Sequence, residues 1–263
     1  MKTQYTVSTY LLDRLSELGI DHIFGLPGDY NLAFLDYLLS YKNLEWIGNC
    51  NELNAAYAAD GYARIKGIAA LITTFGVGEL SAINGIGGSY AENVPVIKIT
   101  GTPPTTVMEN GELVHHTLGD GKFNHFSKMY REITIAQTNL TPEHAVEEID
   151  RVLRACWNEK RPVHINLPID VYNKPINRPA EPILHKPILS NKVTLDKMLL
   201  HAISLINSVK KPIILFDFEV DRFHAKEYLY QFVEKTGFPI ATLSMGDMNI
   251  SRKTPSIYRG LCW

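Results

Sequence analysis

Two consecutive histidines, His115 and His116, lie in the polar, glycine-rich stretch GELVHHTLGDGKF. Neighbouring side chains point to opposite faces of a strand and diverge by about 100° on a helix, so we do not expect this pair to chelate one metal ion. Imidazole titrates near neutral pH, which suits a histidine pair to proton transfer. The alternative is that both histidines are merely solvated side chains of a loop.

Asp29 is a candidate for the same proton-transfer cluster. It follows the short apolar run HIFGLPG, which predicts a buried strand ending in a turn. In open α/β sheets, ligands bind beyond the carboxyl ends of the strands, where such a turn lies. An aspartate in this position can equally serve as a turn or helix-capping residue, and both interpretations remain open.

Glu52 is the second carboxylate of interest, at the start of the predicted helix NELNAAYAADGYARIKG. A carboxylate in the first turn of a helix usually interacts favourably with the helix dipole. Its neighbours Leu53, Ala55 and Ala56 are apolar, however, and enzymes often hold acid–base groups in apolar surroundings. The sequence therefore leaves a structural and a catalytic role open.

The turn at Gly76 and Gly78, in TTFGVGELSAINGIGGSY, raises a phosphate-binding hypothesis. Helix N-termini with glycine-rich turns can cradle phosphate. The stretch lacks the Lys-Ser/Thr pair of a Walker loop and the GxGxxG spacing, which argues against a phosphate site. Close packing of strand against helix is the alternative explanation for these glycines.

Composition and charge exclude several classes of protein. The 263 residues are 45% hydrophobic and 21% charged, with a formal charge of −2 and no basic block, which argues against a nucleic-acid partner. No apolar run approaches the ~18 residues that span a bilayer, and Asp13 and Arg14 interrupt any signal-peptide core. The three cysteines are widely spaced, which is more typical of reduced thiols than of a disulfide framework or a zinc site. We expect a cytoplasmic protein.

Helix and strand patterns alternate along the first part of the chain. Strands are predicted at HIFGLPG, EWIGN, IAALITTFG, VPVIKITG and PVHINLP, and amphipathic helices between them. The last of these helices, TPEHAVEEIDRVLRACWNEK, is predicted to have Thr141 as N-cap and Pro142 as its first residue. The alternation predicts an α/β fold, with a doubly wound, mostly parallel sheet covered by helices on both faces.

A change in composition predicts two domains. Residues 1–171 are expected to form the first domain, and the proline-rich residues 172–189 a linker. Residues 190–263 begin a second α/β lobe with two helices and two strands, KPIILFDF and PIATLS. We expect this lobe to be incomplete, because the final ISRKTPSIYRGLCW predicts no closing element.

Several stretches together resemble the N-terminal half of thiamine-diphosphate-dependent 2-keto acid decarboxylases. They are YLLDRLSELGIDHIFGLPGDYNLAFLD, NELNAAYAADGYAR, TTFGVGELSAINGIGGSYAE, HHTLGDGKFNHF and RPVHINLPIDV. Within that family the chain is most similar to the bacterial indole-3-pyruvate and phenylpyruvate decarboxylases.

The resemblance implies roles for the candidate residues. The first domain would bind the aminopyrimidine of the cofactor, with Glu52 hydrogen-bonded to its N1′ atom. Asp29, His115 and His116 match the polar cluster that moves protons during turnover. The implied reaction is non-oxidative decarboxylation of a 2-keto acid, with indolepyruvate or phenylpyruvate expected, to the aldehyde and CO₂. The implied cofactors are thiamine diphosphate and Mg²⁺, and the implied assembly is a homodimer or tetramer.

The chain also departs from this family. Gly119-Asp120-Gly121 resembles the family's Mg²⁺-diphosphate motif, but the asparagine of that motif does not follow and no buried strand precedes it, so we treat the match as false and expect no metal ligands in this chain. The family's C-terminal, diphosphate-binding domain is not found. We therefore expect the chain alone to be inactive. The alternative is a non-catalytic α/β protein that binds a partner subunit.

Overall fold

The computed structural model describes residues 4–178, 181–183, 189–243, 245–246 and 257–259. The chain falls into two compact units, divided between residues 185 and 186. The strands of the first unit are β1 (His22–Gly25), β2 (Glu45–Gly48), β3 (Ala69–Thr74), β4 (Val96–Thr102), β5 (Gln137–Asn139) and β6 (Val163–Pro168). Its helices are α1 (Val7–Glu17), α2 (Leu32–Ser40), α3 (Glu52–Lys66), α4 (Val77–Ala91), α5 (Thr105–Glu109), α6 (His125–Tyr130) and α7 (Ala145–Glu159).

The six strands form one parallel sheet in the order β2-β1-β3-β4-β6-β5. The strand order reverses between β1 and β3, so the connections leave these two neighbouring strands in opposite directions. Such a switch point leaves a crevice beyond the carboxyl ends of the strands, where α/β proteins bind ligands. The predicted fold class, a doubly wound parallel sheet, is confirmed.

Successive residues of a strand point to opposite faces of the sheet, so their side chains pack into two separate cores, one on each face. Ala70 and Ile72 join the core under α1, α2 and α7, whereas Ala69 and Leu71 join the core under α3 and α4. Small residues let α3 and α4 approach closely: a Cβ atom on Gly85 would lie 2.5 Å from the Cβ of Ala56. Both faces are therefore covered, which explains why the central strands are apolar on both sides.

A buried ion pair links α1 to α7 through the first core. Arg14 is 3% exposed, and its Nε donates to Asp150 Oδ1 at 2.9 Å. The Tyr10 hydroxyl donates to the same oxygen at 2.5 Å. Removing one partner of such a pair leaves the other charge buried and unpaired, which is costly. The pair therefore fixes how the first and last helices of this unit pack.

The structure differs from the prediction around α7. The helix begins at Ala145, with His144 in the N-cap position, so the prediction that Thr141 caps it and Pro142 opens it is wrong. The preceding segment is held at the sheet instead: β5 pairs with β6, and the Leu140 N–H donates to Asn166 O at 2.9 Å. The three-residue β5 and the short α5 and α6 were not predicted, because none is long enough to show a period.

The second unit contains helices and a small parallel sheet. Its helices are α8 (Lys192–Ser208), α9 (Glu219–Arg222) and α10 (Lys226–Thr236), and its strands are β7 (Ile214–Phe216), β8 (Ile240–Thr242) and β9 (Ile257–Arg259), in the order β7-β8-β9. Strand β9 lies within the last fourteen residues, where no closing element was predicted, and it extends the sheet by one strand. The other residues of that segment lie outside the described part of the chain.

The beginning of the expected linker pairs with the first unit. The Ser8 N–H donates to Tyr172 O at 2.9 Å, and the Ile176 N–H donates to Tyr5 O at 3.1 Å. Residues 179–180 and 184–188 of the linker lie outside the described residues. Within the described ranges, no helix has the combination of length and apolar character needed to cross a bilayer.

Helix α8 exposes apolar side chains that a packed helix would bury. None of its residues is buried among the described residues, and Met198, Leu200 and Ile203 are more than half exposed. The comparable helix α7 buries Ile149 and Leu153 completely. Helices gain most of their stability from packing of an apolar face, so α8 depends on what covers it.

We predict that the backbone amides of α8 exchange with deuterium much faster than those of α7, because α8 lacks a packed face. Hydrogen-exchange mass spectrometry on peptides from 192–208 and 145–159 measures this difference within one sample. A dilution series is the control, since self-association through α8 would slow its exchange at high concentration only. Equal protection of the two helices at every concentration would contradict the prediction.

Candidate active site

Four segments meet beyond the carboxyl ends of neighbouring parallel strands. Asp29 lies in the turn after β1, Glu52 opens α3 after β2, and Gly76 follows β3. The loop that follows β4 carries His115 and His116. The predicted site residues thus lie on the edge of the sheet where α/β proteins bind ligands.

Both imidazoles reach the carboxylate of Asp29. His115 Nε2 is hydrogen-bonded to Asp29 Oδ2, and His116 Nε2 lies 3.7 Å from Asp29 Oδ1. The two imidazole rings are only 4.5 Å apart between centroids. The expectation that neighbouring side chains diverge does not hold here, because His116 has the left-handed φ of +62° and the chain is neither helix nor strand.

The turn after β1 is held by Asn31 and not by Asp29. Asn31 Oδ1 accepts from the Gly28 N–H at 2.9 Å, and its Nδ2 donates to Leu26 O at 3.1 Å. Asn31 is 1% exposed, whereas the side chain of Asp29 is half exposed. The structural role that the sequence allowed for Asp29 is therefore filled by its neighbour, and the Asp29 carboxylate is directed to the histidines.

Tyr30 is a member of this cluster that sequence reasoning missed. Its ring stacks on His115 at 5.0 Å between centroids and 12° between planes, and its hydroxyl lies 3.5 Å from His115 Nδ1. Burial, with a smaller contribution from the negative charge of Asp29, raises the pKa of Tyr30 above its ordinary value. Tyr30 is therefore a neutral hydroxyl that fixes the orientation of the His115 ring.

Glu52 occupies the first turn of α3 without serving as its cap. The Asn51 side chain caps the helix, since its Oδ1 accepts from the Asn54 N–H at 2.9 Å. The Glu52 carboxylate extends over the start of α4, where a Cβ atom on Gly78 would lie 3.1 Å from Oε1. Glu52 as a residue is partly exposed.

Gly76 brings the histidine loop against the start of α4. A Cβ atom at this position would lie 1.8 Å from the carbonyl oxygen of His116, and the residue has φ +63°. The Gly76 N–H donates to Glu79 Oε2 at 2.8 Å. A carboxylate of the chain thus takes the place that a phosphate would occupy, which removes the basis for the phosphate-cradle hypothesis.

A fully buried polar cluster lies beneath this turn. Lys98 Nζ donates to Thr73 Oγ1 and to Thr100 Oγ1, each at 2.7 Å. His164 Nε2 lies 2.9 Å from Thr100 Oγ1 and 3.4 Å from Glu79 Oε1. All five side chains have 0% exposure. Lys98 and His164 are direct neighbours in the β4–β6 register, so the sheet itself assembles the cluster.

Burial lowers the pKa of Lys98 to about 7, with the negative charges of Glu79 and Glu52 opposing that shift. Burial likewise lowers the pKa of His164. The Tyr130 hydroxyl closes the cluster by donating to the Glu79 carbonyl at 2.8 Å. A titratable lysine therefore lies within electrostatic reach of Glu52, although nothing in the sequence pattern assigned it to the site.

The Gly119-Asp120-Gly121 triplet forms a turn in the histidine loop. Asp120 accepts from the Lys122 N–H at 3.1 Å and pairs with His125 Nε2 at 2.8 Å. Both glycines have positive φ. The carboxylate is thus engaged within its own loop, and the triplet does not follow a buried strand.

A cavity of about 340 Å³ lies beside the aromatic residues of the site. Phe75 and Phe123 form its apolar wall together with Met108 and Leu140. Phe75 packs edge-on against Tyr30, with ring centroids 6.5 Å apart. The histidine cluster and the cavity are therefore connected through a shared aromatic wall.

Two cysteines of the first unit differ sharply in access. Cys50 is exposed and lies two residues before Glu52, whereas Cys156 is buried in α7. Burial raises the pKa of the Cys156 thiol well above its ordinary range. Cys156 is therefore a packing residue of the core.

Comparison with known proteins assigns the two units. Residues 5–124 match the family model of the thiamine pyrophosphate enzyme N-terminal TPP binding domain, and residues 199–261 match the model of the thiamine pyrophosphate enzyme central domain. Over these residues the chain is thus similar to two domains of thiamine pyrophosphate enzymes. The first match contains every predicted site residue.

Curated relatives carry the name alpha-keto-acid decarboxylase. The proteins from Mycobacterium leprae and Mycobacterium avium are both 46% identical to the chain over 259 residues, which is 97% of its length. The chain spans 45% and 46% of these two relatives. An X-ray structure from Mycobacterium smegmatis, described as a thiamin diphosphate-dependent enzyme, superposes with a TM-score of 0.77 at 21% identity, covering 98% of this chain and 48% of that one. This similarity supports the fold.

We predict that Gly76→Ala destabilises the first unit by roughly 2–4 kcal/mol, because the new methyl group meets the His116 carbonyl and the backbone is strained. Gly88→Ala, inside the helix α4 that Gly76 caps, is the matched control. A Cβ atom there meets nothing within 4 Å, so that variant should gain ~0.5–1 kcal/mol from helix propensity. Urea unfolding followed by circular dichroism measures both. A Gly76→Ala variant as stable as wild type would contradict the packing described here.

We predict that Lys98 makes the stability of the first unit rise with pH between about 7 and 10. Over that window the folded chain holds Lys98 largely neutral, whereas the unfolded lysine stays protonated. The unfolded state then binds more protons, so the unfolding free energy increases with pH, by up to about 1.4 kcal/mol per unit. Unfolding of wild type and Lys98→Met at pH ~7 and ~9 isolates this contribution, since all other groups are shared. Parallel pH dependences would rule it out.

Proposed function

We propose that this chain supplies the aminopyrimidine side of an active site that decarboxylates a 2-keto acid without oxidation, releasing the aldehyde and CO₂. The observation that carries the proposal is the Glu52 carboxylate, held over Gly78 at the same sheet edge as Asp29 and the two histidines. The names of the 46% identical relatives support the reaction type. The matched N-terminal TPP binding domain supports the cofactor.

The residues around Glu52 fit the aminopyrimidine of thiamine diphosphate. A partly exposed carboxylate can share a proton with a ring nitrogen, and Gly78 leaves room for Oε1 where any side chain would crowd it. Thr74 Oγ1 is buried without a hydrogen-bond partner at the end of β3, so a polar group of a ligand can satisfy it. When bound, thiamine diphosphate supplies the electron sink that the loss of CO₂ requires.

The other site residues of the chain would then hold and transfer protons. In this proposal Asp29, His115 and His116 hold and deliver the proton that the reacting carbon needs, because two imidazoles near one carboxylate can exchange protons at neutral pH. Tyr30 keeps the His115 ring in place by stacking and by its hydroxyl contact. Lys98, buried beneath the turn, lies within electrostatic reach of the Glu52 carboxylate.

The described residues do not offer a comparable fit for Mg²⁺ and diphosphate. Asp120, the carboxylate that resembles the relevant motif, is paired with His125, and the Gly76 N–H is bonded to Glu79. We propose that this part of the cofactor is held by protein outside the 259 residues shared with the relatives, of which the chain spans 45–46%. A homodimer or tetramer would bring such a segment from a second subunit.

An aromatic 2-keto acid, indolepyruvate or phenylpyruvate, is the proposed substrate. Tyr30, Phe75 and Phe126 pack together beside the histidines, with Phe123 against them. Phe75 and Phe123 also line the adjacent cavity. Aromatic rings favour offset or edge-on contacts with one another, so this wall suits an aryl side chain better than a short aliphatic one.

A non-catalytic, partner-binding protein is the second candidate. The apolar face of α8, which is exposed among the described residues, favours this alternative. Exposed apolar surface of this kind marks association sites in many proteins.

We predict that Glu52→Gln lowers decarboxylation at least about a hundredfold, because glutamine cannot exchange a proton with the pyrimidine nitrogen. The measurement is CO₂ release from indolepyruvate and phenylpyruvate, with thiamine diphosphate and Mg²⁺, by the chain alone and with the C-terminal half of the Mycobacterium avium relative added. Glu45→Gln, an exposed carboxylate at the start of β2, is the matched control and should keep full activity.

Each outcome of that experiment discriminates between the proposals. Turnover that needs the added half and is lost in Glu52→Gln supports a half-site. Turnover unaffected by Glu52→Gln would contradict the assigned role. Absence of turnover in both settings, together with no thermal stabilisation by thiamine diphosphate, would favour the partner-binding alternative.

A further inference from the structure

The cluster of Asp29, His115 and His116 has the ligand composition of a transition-metal site. It offers two imidazole nitrogens and one carboxylate oxygen, and these three atoms lie within 4.8 Å of one another. Two imidazoles and one carboxylate, with further positions open to water, form a recurring ligand set for zinc and for related divalent ions. We propose that this cluster binds a divalent transition-metal ion, with zinc as the reference case.

The backbone conformation of the loop directs the three ligand side chains towards one another, so that they can share one ion. His116 has φ +62°, which turns its ring towards the carboxylate that His115 already contacts. The Gly76 contact with the His116 carbonyl holds this conformation in place. Two ligands from consecutive residues and one from a different loop then surround a common point, an arrangement that a regular helix or strand could not give.

The ligand side chains need to move only a small distance to bind one zinc ion. A tetrahedral zinc ion with bonds of 2.0–2.1 Å holds its ligand atoms ~3.3 Å apart, so the widest separation must shrink by about an ångström or more. His115 and Asp29 are half exposed and His116 is one-third exposed, which leaves their side chains free to move by that amount. The exposure also leaves an entry path and open coordination positions.

The neighbouring side chains support binding by His115. Its Nε2 faces Asp29 while its Nδ1 faces the Tyr30 hydroxyl at 3.5 Å. Metal-binding histidines usually have such a partner on the second nitrogen, which fixes the ring and its tautomer. In the proposed site, Tyr30 therefore holds the His115 ring in place without binding the ion itself.

The chemistry of the cluster separates zinc from magnesium. Mg²⁺ prefers oxygen ligands in an octahedral arrangement and dehydrates reluctantly, so a site with two imidazoles should discriminate strongly against it. Binding of zinc does not depend on the decarboxylase proposal. If that proposal holds, a bound ion would occupy the proton-transferring groups and act as an inhibitor.

The test is isothermal titration of the full chain with ZnCl₂ and, separately, with MgCl₂. A Cys50→Ser, Cys262→Ser background prevents these two thiols from competing for zinc. We expect saturable one-to-one zinc binding at micromolar concentrations and none of Mg²⁺. Co²⁺ should give the intense visible absorption of a low-coordinate site.

Variants locate the ion. Asp29→Asn, His115→Ala and His116→Ala should each weaken zinc binding at least about tenfold. The matched control is His125→Ala, which removes the imidazole paired with Asp120 in the same loop and should leave binding unchanged. The ligands are exposed, and circular dichroism of each variant checks that its fold is intact.

Two results would overturn the proposal. One is the absence of saturable zinc binding to the folded chain below millimolar concentration. The other is zinc binding that survives all three ligand substitutions or that is lost in His125→Ala, since the ion would then lie elsewhere.

Discussion

The contact between the Gly76 backbone and the His116 carbonyl is the constraint on which the rest of the site depends. It leaves no space for a side chain at Gly76, and it joins the long loop after β4 to the start of α4. Through this contact the two imidazoles reach Asp29, which belongs to a different loop. The site is thus formed by four separate connections that meet at one edge of a parallel sheet. The close approach at Gly76 and the stacking of Tyr30 on His115 hold the histidine loop at that edge.

The buried cluster around Lys98 lies beneath the turn at Gly76 and places titratable groups next to the active site. A lysine, a glutamate and a histidine lie together without exposure to solvent, and the Thr100 hydroxyl links Lys98 to His164. Buried charged groups persist only where they are paired and hydrogen-bonded. Because Glu79 also bonds the Gly76 N–H, the charge of this cluster and the geometry of the active-site turn are linked through a single side chain.

The sequence predicted the parts of the molecule that have a strong local pattern. The parallel sheet, its long helices and the positions of Asp29 and Glu52 at strand ends follow from apolar runs and turn residues. Short elements such as β5 have no period, and Pro142 precedes α7 without opening it. The two histidines converge because His116 has a positive φ, and the identity of that residue does not predict this backbone conformation. Lys98 could have been suspected, because a charged residue inside the apolar run VIKIT needs a buried partner.

The contrast between the two cysteines of the first unit has a practical consequence. Thiol chemistry needs an accessible thiolate, and of these two only Cys50 is accessible. A fluorophore or spin label at Cys50 would lie two residues from Glu52, directly before the N-cap of α3, whereas Cys156 would stay unmodified as long as the core is folded. Labelling at Cys50 would thus report on events around Glu52, and labelling of Cys156 would report that α7 has left the sheet.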